Sequence, residues 1–524
     1  MTTNPILFQS QWTRKGKYTV QIISAGNRPN GFTGRILVGN QEVSSNDNSA
    51  YLKQISNCPD ISSLQVFIDS ANIAGQHVIS PKEAAQLIPD EIKRAFPASS
   101  FVDGIEYFLI QHGVQPDLPS FPAWVNDFAR SMQVIDGKYD EIFPPTFEFV
   151  PTLNCIFRCT ECSYRTPKEL LGIWERNIFN PDFHMSIDTM NGLLSRLKEH
   201  GAKNILFTGG GEPLLNAGTP SAMRFAQDSL GLNVALYTNG SLLTKKKAGE
   251  ILSARPVFVR VSINAGQKDV YDLHHVPLDK GINYFSKTQN GIAFLAREKE
   301  RLGSKAVLGI SYLVNPDNSQ DVLNGARLIA SLAQRYKGMI NYMRFTPSVN
   351  YFGLQQHPKD FFEGIVTRLE GEAVPMLEDA GVSARIYYHR FEGLYEPREY
   401  TRCLASGWYG EIGPGGVLYH CCEKLFNSSF SFGSLLQAPL KELWGGEERK
   451  RVLDFATHAV KGETDSPCPP VCKPHELNKI FAMIERLRAE GKIDQVKTWL
   501  EQIHKIIKAF PQAYKPGQLD GFQS

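Results

Sequence analysis

Phe147-Glu148-Phe149-Val150 leads through Pro151 into Thr152-Leu153-Asn154-Cys155-Ile156-Phe157-Arg158-Cys159-Thr160-Glu161-Cys162-Ser163-Tyr164. A short apolar strand ends in a loop whose three cysteines are spaced C-x3-C-x2-C. Three thiols this close cannot form independent disulfides, but they can wrap one metal centre. They suit an iron–sulfur cluster, whose usual ligand count is four. Three ligands leave one iron open to a small molecule, much as a catalytic zinc site keeps a vacant position.

Downstream, strands and helices alternate. Helix Ser186 to Glu199 is followed by strand Asn204 to Thr208, the loop Gly209-Gly210-Gly211-Glu212-Pro213 and helix Ser221 to Leu230. Then come strand Val234 to Tyr237, the turn Thr238-Asn239-Gly240, helix Lys245 to Ala254 and strand Val257 to Ile263. The pattern continues with helix Tyr284 to Arg301, strand Ala306 to Val314, helix Gln320 to Tyr336, strand Tyr342 to Phe345 and a helix near Phe361 to Glu378. Such alternation implies parallel pairing with right-handed crossovers. Six units predict an α/β fold, a partial (β/α)6 TIM-like barrel, with its site at the C-terminal ends of the strands. The cysteine loop follows the first strand and the glycine loop the second. Ser262 and Asn264, at the fourth strand end, are short polar groups able to bind a sugar hydroxyl or simply to finish a strand.

The flanks read differently. Residues 1–145 predict an α+β domain that binds a substrate or partner, or else covers the barrel edge. Its expected elements are strands Tyr18 to Ile23, Gly34 to Val38 and Ser63 to Ile68, a turn at Asn27 to Gly31, and helices Pro81 to Phe96 and Phe121 to Ile135. Lone His77, His112 and Cys58 read as structural. Residues 146–382 form the expected barrel, 383–475 a cysteine-bearing extension and 476–524 two C-terminal helices.

The chain has 524 residues, 42% hydrophobic and 21% charged, an ordinary globular composition. A net charge of +2 gives no ground for a nucleic-acid or anionic-membrane partner. Apolar runs such as Ala306 to Val314 fall far short of the roughly 20 residues of a membrane span. The N-terminus lacks the basic patch and apolar core of a signal peptide, so a cytoplasmic location is expected. Eight of the nine cysteines cluster at 155–162 and 403–472. In a large cytosolic chain such clusters read as metal ligands before disulfides.

The pairing of C-x3-C-x2-C with Gly-Gly-Glu-Pro on the next strand resembles the radical S-adenosylmethionine (radical SAM) enzymes, over about Phe147 to Val349. The resemblance implies that Cys155, Cys159 and Cys162 hold a [4Fe-4S] cluster whose open iron chelates SAM. It implies that Gly210, Gly211, Glu212 and Pro213 meet the methionine amino group, that Ser262 and Asn264 contact SAM, and that Leu313 packs near adenine. An electron from the cluster, supplied by a flavodoxin- or ferredoxin-type donor, would cleave SAM to a 5′-deoxyadenosyl radical that takes hydrogen from a substrate. Two departures stand out. Glu161 occupies a place that is often aromatic, which leaves Tyr164 to take over stacking. The run Tyr271-Asp272-Leu273-His274-His275 offers His275 to the SAM carboxylate where related peptide-maturing sequences carry an arginine.

Past the barrel, Trp408 to Ile412, Pro414-Gly415-Gly416 and Val417 to Cys421 read as a β-hairpin, and Leu440 to Ala459 as a helix. Cys403, with 12 residues before Gly416, then Cys421, resembles the SPASM/Twitch extension, in its simpler Twitch form. That resemblance implies an auxiliary [4Fe-4S] cluster on Cys403, Cys421, Cys468 and Cys472, with His420 and His475 as weaker ligands and Cys422 spare. A structural zinc site is the alternative for these residues. The expected reaction is oxidation or epimerisation of a small or sugar-like molecule, the auxiliary cluster accepting an electron. Maturation of a ribosomally made peptide is the alternative, and a non-enzymatic metal-stapled binding protein a third. Arg344, Tyr312 and Glu411 are candidates for proton transfer or substrate contact, and Cys422 for hydrogen-atom donation.

Overall fold

The computed structural model describes residues 127–162, 164, 183–350, 355–494, 496–497 and 500–501, and the backbone of four strands between 6 and 42. The chain divides into two compact units, residues 1–138 with 479–523, and residues 139–478.

In the first unit, β1 (Ile6–Trp12), β2 (Tyr18–Ser24), β3 (Phe32–Val38) and β4 (Gln41–Glu42) pair antiparallel in sequence order. Two of these contain the strands expected at Tyr18 and Gly34. Helix Phe128–Ile135 covers the end of the helix expected from Phe121. The expected turn at 27–31, strand at 63–68 and helix at 81–96 lie outside the described residues, as do Cys58, His77 and His112.

The second unit is built on one sheet. Its strands are β5 (Thr146–Phe149), β6 (Asn204–Phe207), β7 (Asn233–Thr238), β8 (Phe258–Ser262), β9 (Val307–Val314), β10 (Tyr342–Pro347), β11 (Ser383–Ile386), β12 (Tyr409–Ile412), β13 (Val417–Tyr419) and β14 (Ser431–Ser434). They run in the order β11-β10-β9-β8-β7-β6-β5-β12-β13-β14. From β12 through β5 to β11 every pairing is parallel, and β13 and β14 add antiparallel. This is a partial TIM-like barrel, widened beyond the six expected strands. β11 was hidden because Ser383-Ala-Arg-Ile386 carries no apolar run. The predicted hairpin is present as β12–β13, but its first arm also joins β5. The cysteine-bearing extension therefore shares a sheet with the barrel.

Local chemistry sets the elements. Ser186 caps helix Ile187–Glu199 by accepting from Thr189 N at 3.1 Å. Met190, Leu193, Leu194 and Leu197 then form its buried stripe. Gly303, at φ 58°, closes helix Tyr284–Leu302 in the left-handed conformation. The helix expected over 361–378 is interrupted by a π turn, Leu369–Ala373, just before Pro375, which lacks the N–H a regular helix needs. The helix expected over 440–459 breaks at Gly446, giving Leu440–Gly445 and Glu447–Lys461.

Strand alternation decides what faces inward. Phe147, Phe149, Ile205, Phe207, Val234, Leu236, Val259, Val261, Ile310, Met343 and Phe345 belong to the buried core. Their alternates, including Glu148, Tyr237, Arg260, Ser311 and Arg344, leave the opposite face. That inner face is rich in charge. Among the described residues, no helix is long and apolar enough to cross a membrane.

Candidate functional site

The cysteine loop and the glycine loop are fastened to each other. Glu212 N donates to Asn154 O at 2.8 Å. A Cβ on Gly211 would overlap Asn154 O and lie 2.6 Å from the Leu153 carbonyl carbon, so only glycine lets the two backbones approach this closely. The Glu212 carboxylate accepts from Thr238 Oγ1 (2.6 Å), Asn239 N (2.8 Å) and Leu214 N (3.1 Å). It ties the second strand end to the third. Cys162 N donates to Cys159 O at 3.3 Å, which folds these two cysteines into one turn.

His275 lies behind the cysteine loop, in a helix (Lys268–His275) that follows β8 and was not foreseen from sequence. One ring nitrogen, Nε2, faces Ile263 O at 3.1 Å, and Nδ1 faces Cys159 Sγ at 3.3 Å. Burial holds the imidazole down at about 4, and thus neutral. Nε2 then carries the proton, because a carbonyl can only accept. Both ring nitrogens of His275 therefore face protein groups, Ile263 O and Cys159 Sγ.

The fourth and fifth strand ends carry a second network. Asn264 adopts φ 53°, a conformation that asparagine tolerates better than most residues. Its Oδ1 accepts from Leu313 N at 2.8 Å, and its Nδ2 faces His274 Nε2 at 3.1 Å. Asn315 Nδ2 donates to Glu161 Oε1 at 3.0 Å and lies 3.3 Å from His274 Nδ1. Burial lowers His274 to about 3 and raises Glu161, against the Asn315 hydrogen bond. The charged residue that replaces an aromatic is thus bonded to the end of β9. Tyr164 turns to Phe426, with ring centroids 5.9 Å apart and edge-on. Phe426 also packs against Gly210.

Tyr312 is a correction. Its ring is buried in the core against Phe345, and its hydroxyl donates to Asn318 O at 3.1 Å. It faces the helices, not the inner face.

The second cysteine group separates into two environments. Burial first, then Cys403, Cys468, Glu423 and Cys472, pushes the Cys421 thiol well up. Cys472 is raised by burial, then Cys468 and Cys403, and Cys403 is pushed up to about 12 by burial, with Cys468 adding to it. Two cations hold the Cys468–Cys472 loop by its carbonyls. Lys424 Nζ donates to Ser466 O (2.7 Å) and Pro467 O (2.8 Å), and Arg398 donates to Pro469 O. Both pull the Cys468 thiol back down, against burial. Among the described residues, no three His, Cys, Asp or Glu side chains converge closely enough to chelate one ion as they stand. A four-iron cluster is larger than one ion. Four neighbouring, half-buried thiols flanked by two cations fit its donor set and net negative charge. His475 borders this pocket through Tyr400, whose hydroxyl is 2.9 Å from His475 Nδ1. His420 is buried among Phe430 and Phe432 and held down at about 3 by burial.

Cys422 belongs to the other environment. Burial, then Glu148 and Glu423, raises its thiol well above the ordinary range, and Lys473 opposes them. Glu148 on β5 and Glu411 on β12 are register partners on parallel strands, so their side chains leave one face together. Lys473 Nζ donates to Glu148 Oε1 at 2.5 Å, both groups being buried. Burial first, and Glu148 second, push Glu411 well above the carboxylate range. Glu411 is therefore the protonated member of the pair, and Glu148 the one that accepts from Lys473. The sequence showed Glu411 as a candidate but missed Glu148 and Lys473. The visible signal was a glutamate between two phenylalanines in a strand buried on both faces.

A folded-state value above the unfolded one means that Glu411 contributes stability below about pH 4.3, and that this is lost as pH rises above it. Glu411→Gln mimics the protonated form at every pH. Its stability advantage over the parent chain should therefore grow between pH 5 and pH 8 in denaturant unfolding. A difference that stays flat across that range refutes the buried protonated carboxyl.

The family model of the radical SAM superfamily matches residues 149–322, from the end of β5 to the start of the helix after β9. Residues 149–322 thus match the domain of that superfamily, which implies an enzyme with a [4Fe-4S] cluster and SAM. Similar solved structures include anSMEcpe with bound AdoMet, at 17% identity over 64% of this chain and 88% of that one, with a TM-score of 0.43. Streptococcus suis SuiB bound to S-adenosylmethionine is similar at 11% identity over 84% and 88%, with a TM-score of 0.44. BtrN in complex with AdoMet and 2-DOIA is similar at 13% identity over 62% and 91%, with a TM-score of 0.32. Likenesses this distant carry no argument about what this chain binds. No curated protein matches the sequence.

Proposed function

We propose that the chain is a radical SAM epimerase of a small, polar or sugar-like molecule held on the inner face of the barrel. Cys155, Cys159 and Cys162 would hold the cluster that takes SAM, and the loop at Gly210, Gly211, Glu212 and Pro213, with Ser262, Asn264 and Leu313, would surround SAM. Together the bound cluster and SAM supply abstraction of one hydrogen atom from carbon. Cys403, Cys421, Cys468 and Cys472 would hold the auxiliary cluster.

The observation that carries this reading is the divergence of Cys421 and Cys422. One joins the four-thiol pocket, and its neighbour stands with Glu148, Glu411 and Lys473. A raised thiol stays protonated and keeps a hydrogen atom to give. Cys422 Sγ–H would donate that atom to the substrate carbon, inverting it. The sulfur must then regain one electron and one proton. Glu411 is placed to supply the proton, and a one-electron donor of flavodoxin or ferredoxin type the electron.

Anaerobic reconstitution should give about eight irons per chain, and serine at Cys403 or Cys472 should remove about four of them. Incubation with SAM and dithionite should release 5′-deoxyadenosine. In D2O, turnover of a candidate polyol or aminocyclitol should place one deuterium at the inverted carbon, and Cys422→Ala should abolish it. An oxidised product without deuterium would instead assign the reaction to oxidation, with the auxiliary cluster as electron acceptor.

A further inference from the structure

The inner face of β7 to β11 carries positive charge that no carboxylate among the described residues pairs with. Tyr237, Arg260, Gly309 and Tyr342 form one register row across β7, β8, β9 and β10. The next inward row is Ser262, Ser311, Arg344 and Arg385. Arg260 is only 4% exposed. Its Nε donates to the Tyr342 hydroxyl at 3.0 Å, and its guanidinium lies 4.1 Å from the Tyr237 ring centroid. Its Nη1 is buried without a hydrogen-bond partner among the described residues. Arg344 Nε reaches Ser311 Oγ at 3.4 Å, and its guanidinium lies over Tyr387 at 5.1 Å. Arg385 lies over Tyr342 at 4.3 Å.

These groups are set in place, not swept aside. A Cβ on Gly309 would overlap the Tyr342 ring, so a glycine on this row lets that ring cross β9. The tyrosine rings hold the guanidinium planes, and the Tyr387 hydroxyl also bonds Arg344, the arginine charges pulling it down against burial. Burial, then the Arg260 charge, lowers Arg344, whereas Tyr237 and Tyr342 hold Arg260 up against burial. Among the described residues none of the three arginines has an ion-pair partner, whereas Lys473 on the opposite side takes Glu148. A buried guanidinium with an open N–H, beside a second, half-buried one, is costly unless an anion joins them. The planar fork of arginine suits a carboxylate or phosphate, which can take two parallel hydrogen bonds.

We infer that Arg260 and Arg344 form an oxyanion-binding site inside the barrel, and that the substrate carries a carboxylate or phosphate group which this pair anchors. The inference rests on the barrel interior being the reaction chamber. With the anion held at β8 and β10, the rest of the molecule extends toward Lys473, Glu411 and Cys422. The same oxyanion chemistry could also come from the carboxylate of SAM, and the test separates the two sources.

The test is equilibrium dialysis of the reconstituted full chain against labelled acetate, labelled phosphate and, separately, labelled SAM. Saturable binding of one acetate or phosphate per chain is expected. It should weaken at least about tenfold in Arg260→Met and Arg344→Met. Arg255→Met, whose exposed guanidinium pairs with Asp228, should bind as the parent does. SAM binding should be unchanged in all three. Anion binding equal in every variant, or none in the parent chain, overturns the inference. So does loss of SAM binding alone, which would assign the pair to SAM. Melting temperature guards against misfolding. Arg260→Met and Arg344→Met should melt at or above the parent, because each removes a charge that has no ion-pair partner among the described residues. A large drop in both would make the arginines structural and overturns the inference. Absence of 5′-deoxyadenosine with anion binding intact would sink the proposed reaction and leave this site standing.

Discussion

Cys159→Ala should leave a folded chain that reconstitutes with about four irons instead of about eight and forms no 5′-deoxyadenosine. The argument is one of position. Cys159 is the middle cysteine of the loop, folded into one turn with Cys162, and its sulfur lies against His275 Nδ1. Two thiols cannot hold a cluster that needs three from this loop. The fold should tolerate the change, because Cys159 sits at the edge of the core and its loop is held by other bonds. Arg158 N donates to His275 O and Thr160 N to His274 O, both at 3.1 Å. Iron analysis and EPR of the reduced protein check the loss, and circular dichroism checks the fold. Retention of about eight irons would show that the cluster uses other ligands. Collapse of the fold would show that the loop depends on the sulfur itself.

The parts of the site that were legible in the sequence are those in which several residues repeat one message. The cysteine spacing, the glycine loop on the next strand and the regular strand–helix alternation are local patterns, and they place the barrel and its first loop. What was missed depends on register and on distant pairing. Glu148 and Glu411 are 263 positions apart and become neighbours only because β12 pairs with β5. Nothing local in Tyr409 to Ile412 distinguishes a hairpin arm from a barrel strand, and here it is both. Lys473, just past Cys472, drew no reading of its own, yet it is the ammonium on Glu148. Tyr312 erred in the other direction. It sits at a strand end, but its register turns it to the core. Glu161 looked like a defect in the motif because its partner, Asn315, lies past β9. A strand pattern gives the period of a side chain; which face that period selects is settled by the neighbouring strands.

Lys473→Met should be the most damaging single change away from the cysteines, costing about 3–5 kcal/mol of stability. The lysine and Glu148 are both buried, and the bond between them is short. Removing the ammonium leaves the buried Glu148 carboxylate next to Glu411 without its cation. The cost comes less from the lost attraction than from the carboxylate left without a partner, so it should be recoverable. Glu148→Gln in the Lys473→Met background removes that charge and should restore most of the loss. The amide can then donate to the Glu411 carbonyl oxygen, or Glu411 to the amide oxygen. Thermal or denaturant unfolding of the three variants beside the parent chain measures the coupling directly. Lys473 also follows Cys472 in sequence, so a merely local role in the thiol pocket would lower iron content instead. In that case Glu148→Gln would rescue nothing, and a double variant no more stable than Lys473→Met alone would remove the buried pair from the account of this fold.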